Sequence, residues 1–161
     1  MSASTLSDTD IAQLLDCSKR VETPGSKTRV DGKHERRDFR VVSEDGHHEF
    51  VLFTRQSLLI PNSFSAGMRW RSKTGEEVIL IRCNGSDHPH GNALEHESFG
   101  AQQHIHLATE RYIAAGRKAE TYAMPTTSYS TLAGALHEVA KLAKITGLIT
   151  HPDHPGLFET S

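Results

Sequence analysis

A chain of 161 residues with 36% hydrophobic content supports one domain with its own core and leaves little room for a second. Its formal charge of −2 and pI near 6.6 argue against a strongly basic, purely electrostatic nucleic-acid binder. No apolar run approaches the roughly eighteen residues of a membrane span, so no membrane partner is expected.

In chain order, Ser7-Asp8-Thr9-Asp10 before Ile11 to Leu15 reads as a capped short helix with Leu6, Ile11, Leu14 and Leu15 on one face. From Lys19 to His34 the chain turns polar, with Pro24-Gly25 and Asp31-Gly32 as turn signals, and reads as a connector. Residues 1–36 thus form an N-terminal helix and linker. Arg37 to Val42 alternates, Glu44-Asp45-Gly46 signals a hairpin, and His48 to Arg55 is the return strand. A second hairpin follows, from Gly67 to Arg71, through Lys73-Thr74-Gly75, to Glu77–Cys83. Gly85 to Ala101, within a histidine-rich stretch spanning 85–103, reads as a long loop. His104 to Leu107 alternates as a fifth strand with Ile105 and Leu107 inward, closing a sheet region of 37–108. A short helix at Thr109–Ala115 stopped by Gly116, and a longer one at Thr131–Thr146 capped by Gly147, make 109–146 the helical part. Residues 147–161 read as an irregular tail. The expected fold class is α+β: a single domain with an antiparallel meander of about four to five strands and the terminal helices packed on one face.

The chemistry concentrates between Arg82 and His106. Five of the eleven histidines (His88, His90, His96, His104 and His106) fall there, directly after the apolar run Val78-Ile79-Leu80-Ile81. Imidazole can donate or accept a proton, or ligate a metal, near neutral pH. Strand alternation puts Val78, Leu80, Arg82 and Asn84 on one face of the fourth strand, with Ile79, Ile81 and Cys83 on the other. Antiparallel pairing with the fifth strand then brings Arg82 and Asn84 towards His104 and His106, under the loop that carries His88 and His90.

Three readings of this cluster compete. In the first it handles a phosphodiester without a metal or other cofactor. Arg82 binds phosphate through its planar fork, His104 and His106 act as base and acid, and Asn84, His88 and His90 contact substrate. In the second, His88, His90, His104 and His106 hold a transition metal, with Asp87 or Glu95 nearby; the spacing matches no fixed zinc motif. In the third, they are rim histidines on a non-catalytic protein-interaction module with a defence or regulatory role.

Elsewhere, Arg69 and Arg71 flank Trp70 at strand spacing, as a basic stacking surface for single-stranded nucleic acid or as outward arginines around a core tryptophan. Arg36-Arg37 and His34 read either as an extension of a phosphate-binding edge or, more commonly, as a charged strand entry. His47-His48 reads as a solvated hairpin tip and His137 as helix surface, while His151-Pro152-Asp153-His154 suggests metal by composition alone. Tyr112, Tyr122 and Tyr129 each offer a hydroxyl with nothing to choose between them. Cys17 and Cys83 are far apart, and Cys83 reads as a small core residue. The absence of an export pattern gives the expectation of a cytoplasmic protein.

The order of apolar strand, Arg82-Cys83-Asn84-Gly85, a loop with His88 and His90, then His104-Ile105-His106 resembles small uncharacterised bacterial domains. It is also similar to the TumE-type toxins of toxin–antitoxin pairs. The motif resemblance covers Val78 to His106, and the layout Phe39 to Leu136. It implies a RelE/ParE-like toxin acting on RNA as an endoribonuclease, with a cognate antitoxin as partner. The chain departs from that pattern in its length, in Asn84 where an acid is frequent, and in Ile105 between its paired histidines.

Overall fold

The structure is a computed structural model that describes residues 1–148 and, beyond them, the backbone of Thr150–His151 and His154–Phe158. Helix α1 (Asp8–Asp16) begins where the sequence places it. Ser7 Oγ accepts from the Asp10 amide at 3.0 Å, and the Asp10 carboxylate accepts from the Ser7 amide at 3.0 Å. This reciprocal cap satisfies donors that the first turn would otherwise leave bare.

The expected connector is partly strand: β1 (Lys19–Val21) and β2 (Arg29–Asp31) both pair with β3 (His34–Ser43). Strands β4 (Glu49–Ser57), β5 (Phe64–Arg71) and β6 (Glu77–Asn84) continue the two hairpins as an antiparallel run. The expected loop at 85–103 contains a small hairpin of its own, β7 (His90–Asn92) and β8 (Glu97–Phe99). Strand β9 (His104–Leu107) adds antiparallel to β6, and β10 (Ala123–Pro125) adds beyond it. Helix α2 (Glu110–Ala114) lies between them and ends at Gly116, which takes φ 72°.

Helix α3 (Leu132–Leu142) is shorter than its periodicity suggests. It ends because Lys144 turns left-handed at φ 54°, well before Gly147, and the chain leaves as β11 (Ile145–Thr146), parallel to β1. The sheet is therefore not a simple meander of four or five strands. It is a mixed nine-stranded sheet in the order β10-β9-β6-β5-β4-β3-β1-β11, with β2 beside β3. The tail is not wholly irregular either, since β12 (Thr150–His151) pairs with β13 (His154–Phe158). The histidine side chains of 151 and 154, read as suggestive of metal, lie outside the described residues.

One sheet face forms the core. Phe39, Val41, Phe50, Leu52, Ala66, Met68 and Trp70 pack with Ile11 and Leu14 of α1 and with Ala135, Leu136 and Val139 of α3. Both expected helices therefore serve the same core. Lys19 is fully buried among them. Its Nζ donates to the carbonyls of Leu15 (3.0 Å), Cys17 (2.7 Å) and Ala143 (2.7 Å) and lies 5.0 Å from the Phe50 ring centre. An ammonium placed where α1 and α3 end meets the negative poles of both helices.

One irregularity turns Arg82 and Asn84 to the opposite, polar face. Arg69 pairs with Ile79 and Met68 with Ile81, so Leu80 is an extra residue in β6. The bulge reverses the alternation: Val78 and Leu80 are buried, but so are Ile81 and Cys83. Arg82 and Asn84 therefore do not share a face with Val78 and Leu80, as strict alternation expects. They face away from the core instead. Register then aligns Arg36, Arg55, Ser65, Asn84 and His104 in one row across five strands. The next row holds Asp38, Phe53, Gly67, Arg82 and His106. Gly67 is required there, since a Cβ would lie 2.5 Å from the Phe53 ring and 2.7 Å from the Ile81 carbonyl.

Candidate functional site: a buried three-histidine cluster

Asn84 pairs with His104 and Arg82 with His106 in the β6–β9 register, so the four strand-borne residues do meet. Ile105 and Leu107 point to the core side, opposite Cys83 and Ile81. The histidine side of β9 is not open, however. His104 is 0% exposed and His106 4%. The β7–β8 hairpin folds over them, and Phe99 stands 5.5 Å from His104 between ring centres.

The hairpin delivers His90. Its ring centre lies 4.9 Å from that of His106 and 5.6 Å from that of His104, and the latter two are 4.9 Å apart. One ring nitrogen from each of the three residues lies within 4.8 Å of the others. His88 stays outside this triangle. It is exposed, holds Asp87 Oδ1 at 3.0 Å through Nδ1, and stands 6.2 Å from the His104 ring. His96 is exposed in the hairpin turn with φ 54°. Glu95 points the other way, accepting from the Tyr112 hydroxyl at 2.7 Å and so anchoring the turn to α2.

Hydrogen bonds decide the tautomer of each ring. His104 Nδ1 lies 2.9 Å from the Gln102 carbonyl and His106 Nδ1 lies 2.8 Å from the Glu120 carbonyl. A carbonyl only accepts, so both rings carry their proton on Nδ1 and a lone pair on Nε2. His90 Nε2 lies 2.9 Å from Asn92 Oδ1. That oxygen also accepts from the Ala123 amide at 2.9 Å, while Asn92 Nδ2 donates to the Ala123 carbonyl and to Glu97 Oε1, both at 2.8 Å. The backbone donor fixes which Asn92 atom is oxygen, so His90 is protonated on Nε2 and keeps its lone pair on Nδ1. Among the described residues no donor reaches Nδ1 of His90 or Nε2 of His106. His104 Nε2 meets only Asn84 Nδ2, at the long distance of 3.5 Å.

Burial disfavours the charged form of His104 and His106. Desolvation, followed by the nearby Arg82 cation and the neighbouring rings, pulls His106 down to about 3. Burial likewise lowers His104. Arg82 is itself desolvated, with Nε buried and unpaired and Nη1 as far as 4.0 Å from Glu120. Asn84 Oδ1 is also buried without a partner.

The remaining candidates fall elsewhere. Trp70 is core at 3% exposure, and its flanking arginines are tied to carboxylates: Arg69 to Glu77 at 2.7 Å and Arg71 to Glu77 at 3.1 Å. Neither reaches the histidines. Arg37 is buried and donates to the Ser26 carbonyl at 2.8 Å. Cys83 is a buried free thiol pushed up to about 12 by desolvation, and Cys17 is also free. Tyr129 serves the scaffold, donating to the carbonyls of Asn84 (2.8 Å) and His104 (3.0 Å). Tyr122 lies under Arg111, whose guanidinium carbon is 4.8 Å from the ring centre. His47 and His137 are exposed. Sequence reasoning did not single out Asn92 or the carbonyls of Gln102 and Glu120. The signal for Asn92 was its spacing: it stands two residues after His90, on the same strand face.

Among the described residues no helix is long and apolar enough to cross a membrane. No curated protein and no solved structure matches the chain. A family of unknown function, DUF6978, matches residues 6–145, which takes in the whole histidine cluster and the core that supports it. The chain belongs to this family.

Proposed function

We propose that this protein binds a single transition-metal ion on His90 Nδ1, His104 Nε2 and His106 Nε2, leaving the remaining coordination positions open to a ligand. The supporting observation is the hydrogen-bonding of the outer ring nitrogens. Each is committed to an oxygen acceptor, so each inner nitrogen is left with a lone pair. Such outer contacts orient imidazole ligands and raise their basicity. Three neutral imidazoles suit zinc, nickel, copper or iron, and three protein ligands with an open position characterise reactive rather than structural sites. Ligands on a tetrahedral ion are about 3.4 Å apart for bonds of about 2.1 Å, so binding draws together nitrogens that now lie within 4.8 Å of one another. Oxygen donors of the kind hard cations prefer are not in the triangle.

The toxin-like ribonuclease reading uses the same side chains differently. It needs His104 and His106 to take up and release protons near neutral pH. Their Nδ1 protons are held by carbonyls and their burial disfavours the charged ring, so ligation fits the geometry better than acid–base exchange.

Elemental analysis of protein purified without a metal-affinity tag tests the proposal. The expected result is about one equivalent of metal per chain, lost in His90→Ala, whose folding is checked by circular dichroism. His90 is the half-buried member and sits on the added hairpin, so its removal spares the main sheet. Protein that carries no metal and takes up none from added zinc, nickel or ferrous ions would contradict it.

A further inference from the structure

A polar cleft of about 270 Å³ lies on the same sheet face, lined by His34, Arg55, Ser65, Arg82, Asn84 and His88 among others. It shares a wall with the histidine cluster. Arg82 is the cross-strand neighbour of His106, and Asn84 Nδ2 is the atom that approaches His104. The charge balance of this cleft differs from that of the surrounding sheet. Arg36 holds Asp31 at 2.9 Å, Arg40 holds Glu49 at 3.1 Å and Arg69 holds Glu77 at 2.7 Å. Arg55 has no carboxylate partner among the described residues and instead shares a hydrogen bond with His34 Nδ1 at 3.3 Å. Among the described residues Arg82 comes no nearer to a carboxylate than 4.0 Å. The acid in the cleft lining, Asp87, is engaged with His88.

We infer that this cleft is the binding site for the phosphate group of a small phosphorylated molecule, held by Arg55 and Arg82 next to the metal ion. The inference rests on the metal reading for its second half: three neutral ligands leave the full charge of the ion uncompensated beside two arginines, and an anion restores the balance. Phosphate fits better than carboxylate because donors converge from several directions. Arginine forks stand on β4 and β6, a serine hydroxyl on β5 and an imidazole at the start of β3. The volume of about 270 Å³ admits one phosphate with a small organic group.

Isothermal titration with inorganic phosphate tests this on the purified full-length chain, with the metal content of the same wild-type sample measured alongside. One phosphate site is expected. Arg55→Gln, at an exposed position that spares the fold, should weaken it about ten-fold or more, and so should Arg82→Met. Arg20→Gln, which removes an equal charge from a distant ion-paired position, should leave it unchanged. No phosphate binding by the wild type, or equal weakening in all three variants, would overturn the inference. A short single-stranded RNA that binds more tightly than phosphate and resists displacement by it would overturn the small-molecule assignment. Arginine-dependent phosphate binding by protein that carries no metal and takes up none when it is added would uphold the cleft and remove the metal proposal, so the two readings fail separately.

Discussion

Lys19 and the pair His104 and His106 are buried against opposite edges of one sheet, and each introduces polar atoms where solvent cannot reach. At the β1 edge the account is complete. The three ammonium donors of Lys19 meet three carbonyls at 2.7–3.0 Å, and the helices that supply those carbonyls end there. At the β9 edge one nitrogen of each ring is equally well satisfied, but the other has no close donor, and the three rings crowd together with a nitrogen from each within 4.8 Å of the others. Arg82 Nε and Asn84 Oδ1 stay unpaired beside them. A polar group that closes its own hydrogen bonds holds a fold together. One that leaves them open in a fixed geometry has the form of a binding site, because leaving such groups unmet costs stability that a ligand restores.

That contrast can be broken in four ways. The largest effect should come from metal. At a free metal concentration about a thousand times the dissociation constant, binding stabilises the native state by about 4 kcal/mol. Chelator should therefore lower the melting temperature of the wild type by several degrees and leave His90→Ala unaffected. Next, Lys19→Met should destabilise the protein by about 3 kcal/mol in denaturant titration, since it strands buried carbonyls at two helix ends. The same variant carries a pH signature. Burial lowers the Lys19 pKa, so the unfolded chain holds the proton more tightly. Unfolding then takes up a proton between the folded value and about 10.5, and stability contributed by this group rises with pH across that window. Lys19→Met should remove that rise.

A third, smaller effect concerns Asn92. Replacing it with alanine frees the His90 ring, and metal affinity measured against a competing chelator should fall about 10- to 100-fold. The smallest effect is the most discriminating. Arg82→Met removes a buried cation with an unpaired nitrogen, so stability should change by less than about 1 kcal/mol. A loss as large as that of Lys19→Met would mean that Arg82 holds the fold and is not kept for a ligand.

Much of the site was legible, for a physical reason. Strand pairing is local and antiparallel, so Arg82 and Asn84 had to meet His104 and His106 once β6 and β9 paired. The bulge was not legible, because an extra leucine inside Val78-Ile79-Leu80-Ile81 looks like any other apolar residue. His90 was grouped with His88 in a loop, since β7 and β8 have three residues each and their turn carries His96 at positive φ where glycine or asparagine is usual. The sheet edge at β1 and β11 was hidden for a similar reason. Lys19 opens a stretch that reads as a polar connector, and the buried ammonium is explained only by carbonyls as distant in sequence as Ala143. Periodicity also carried α3 too far, because Ile145 continues its apolar stripe although Lys144 has already left the helix.

The most direct test of the proposed metal site is an anomalous difference map from crystals grown with added metal. The account predicts one peak about 2.0–2.1 Å from His90 Nδ1, His104 Nε2 and His106 Nε2, on the side of the Arg82 and Asn84 wall. A map with no peak there, or with the metal held by the exposed His88 and Asp87 instead, would contradict it.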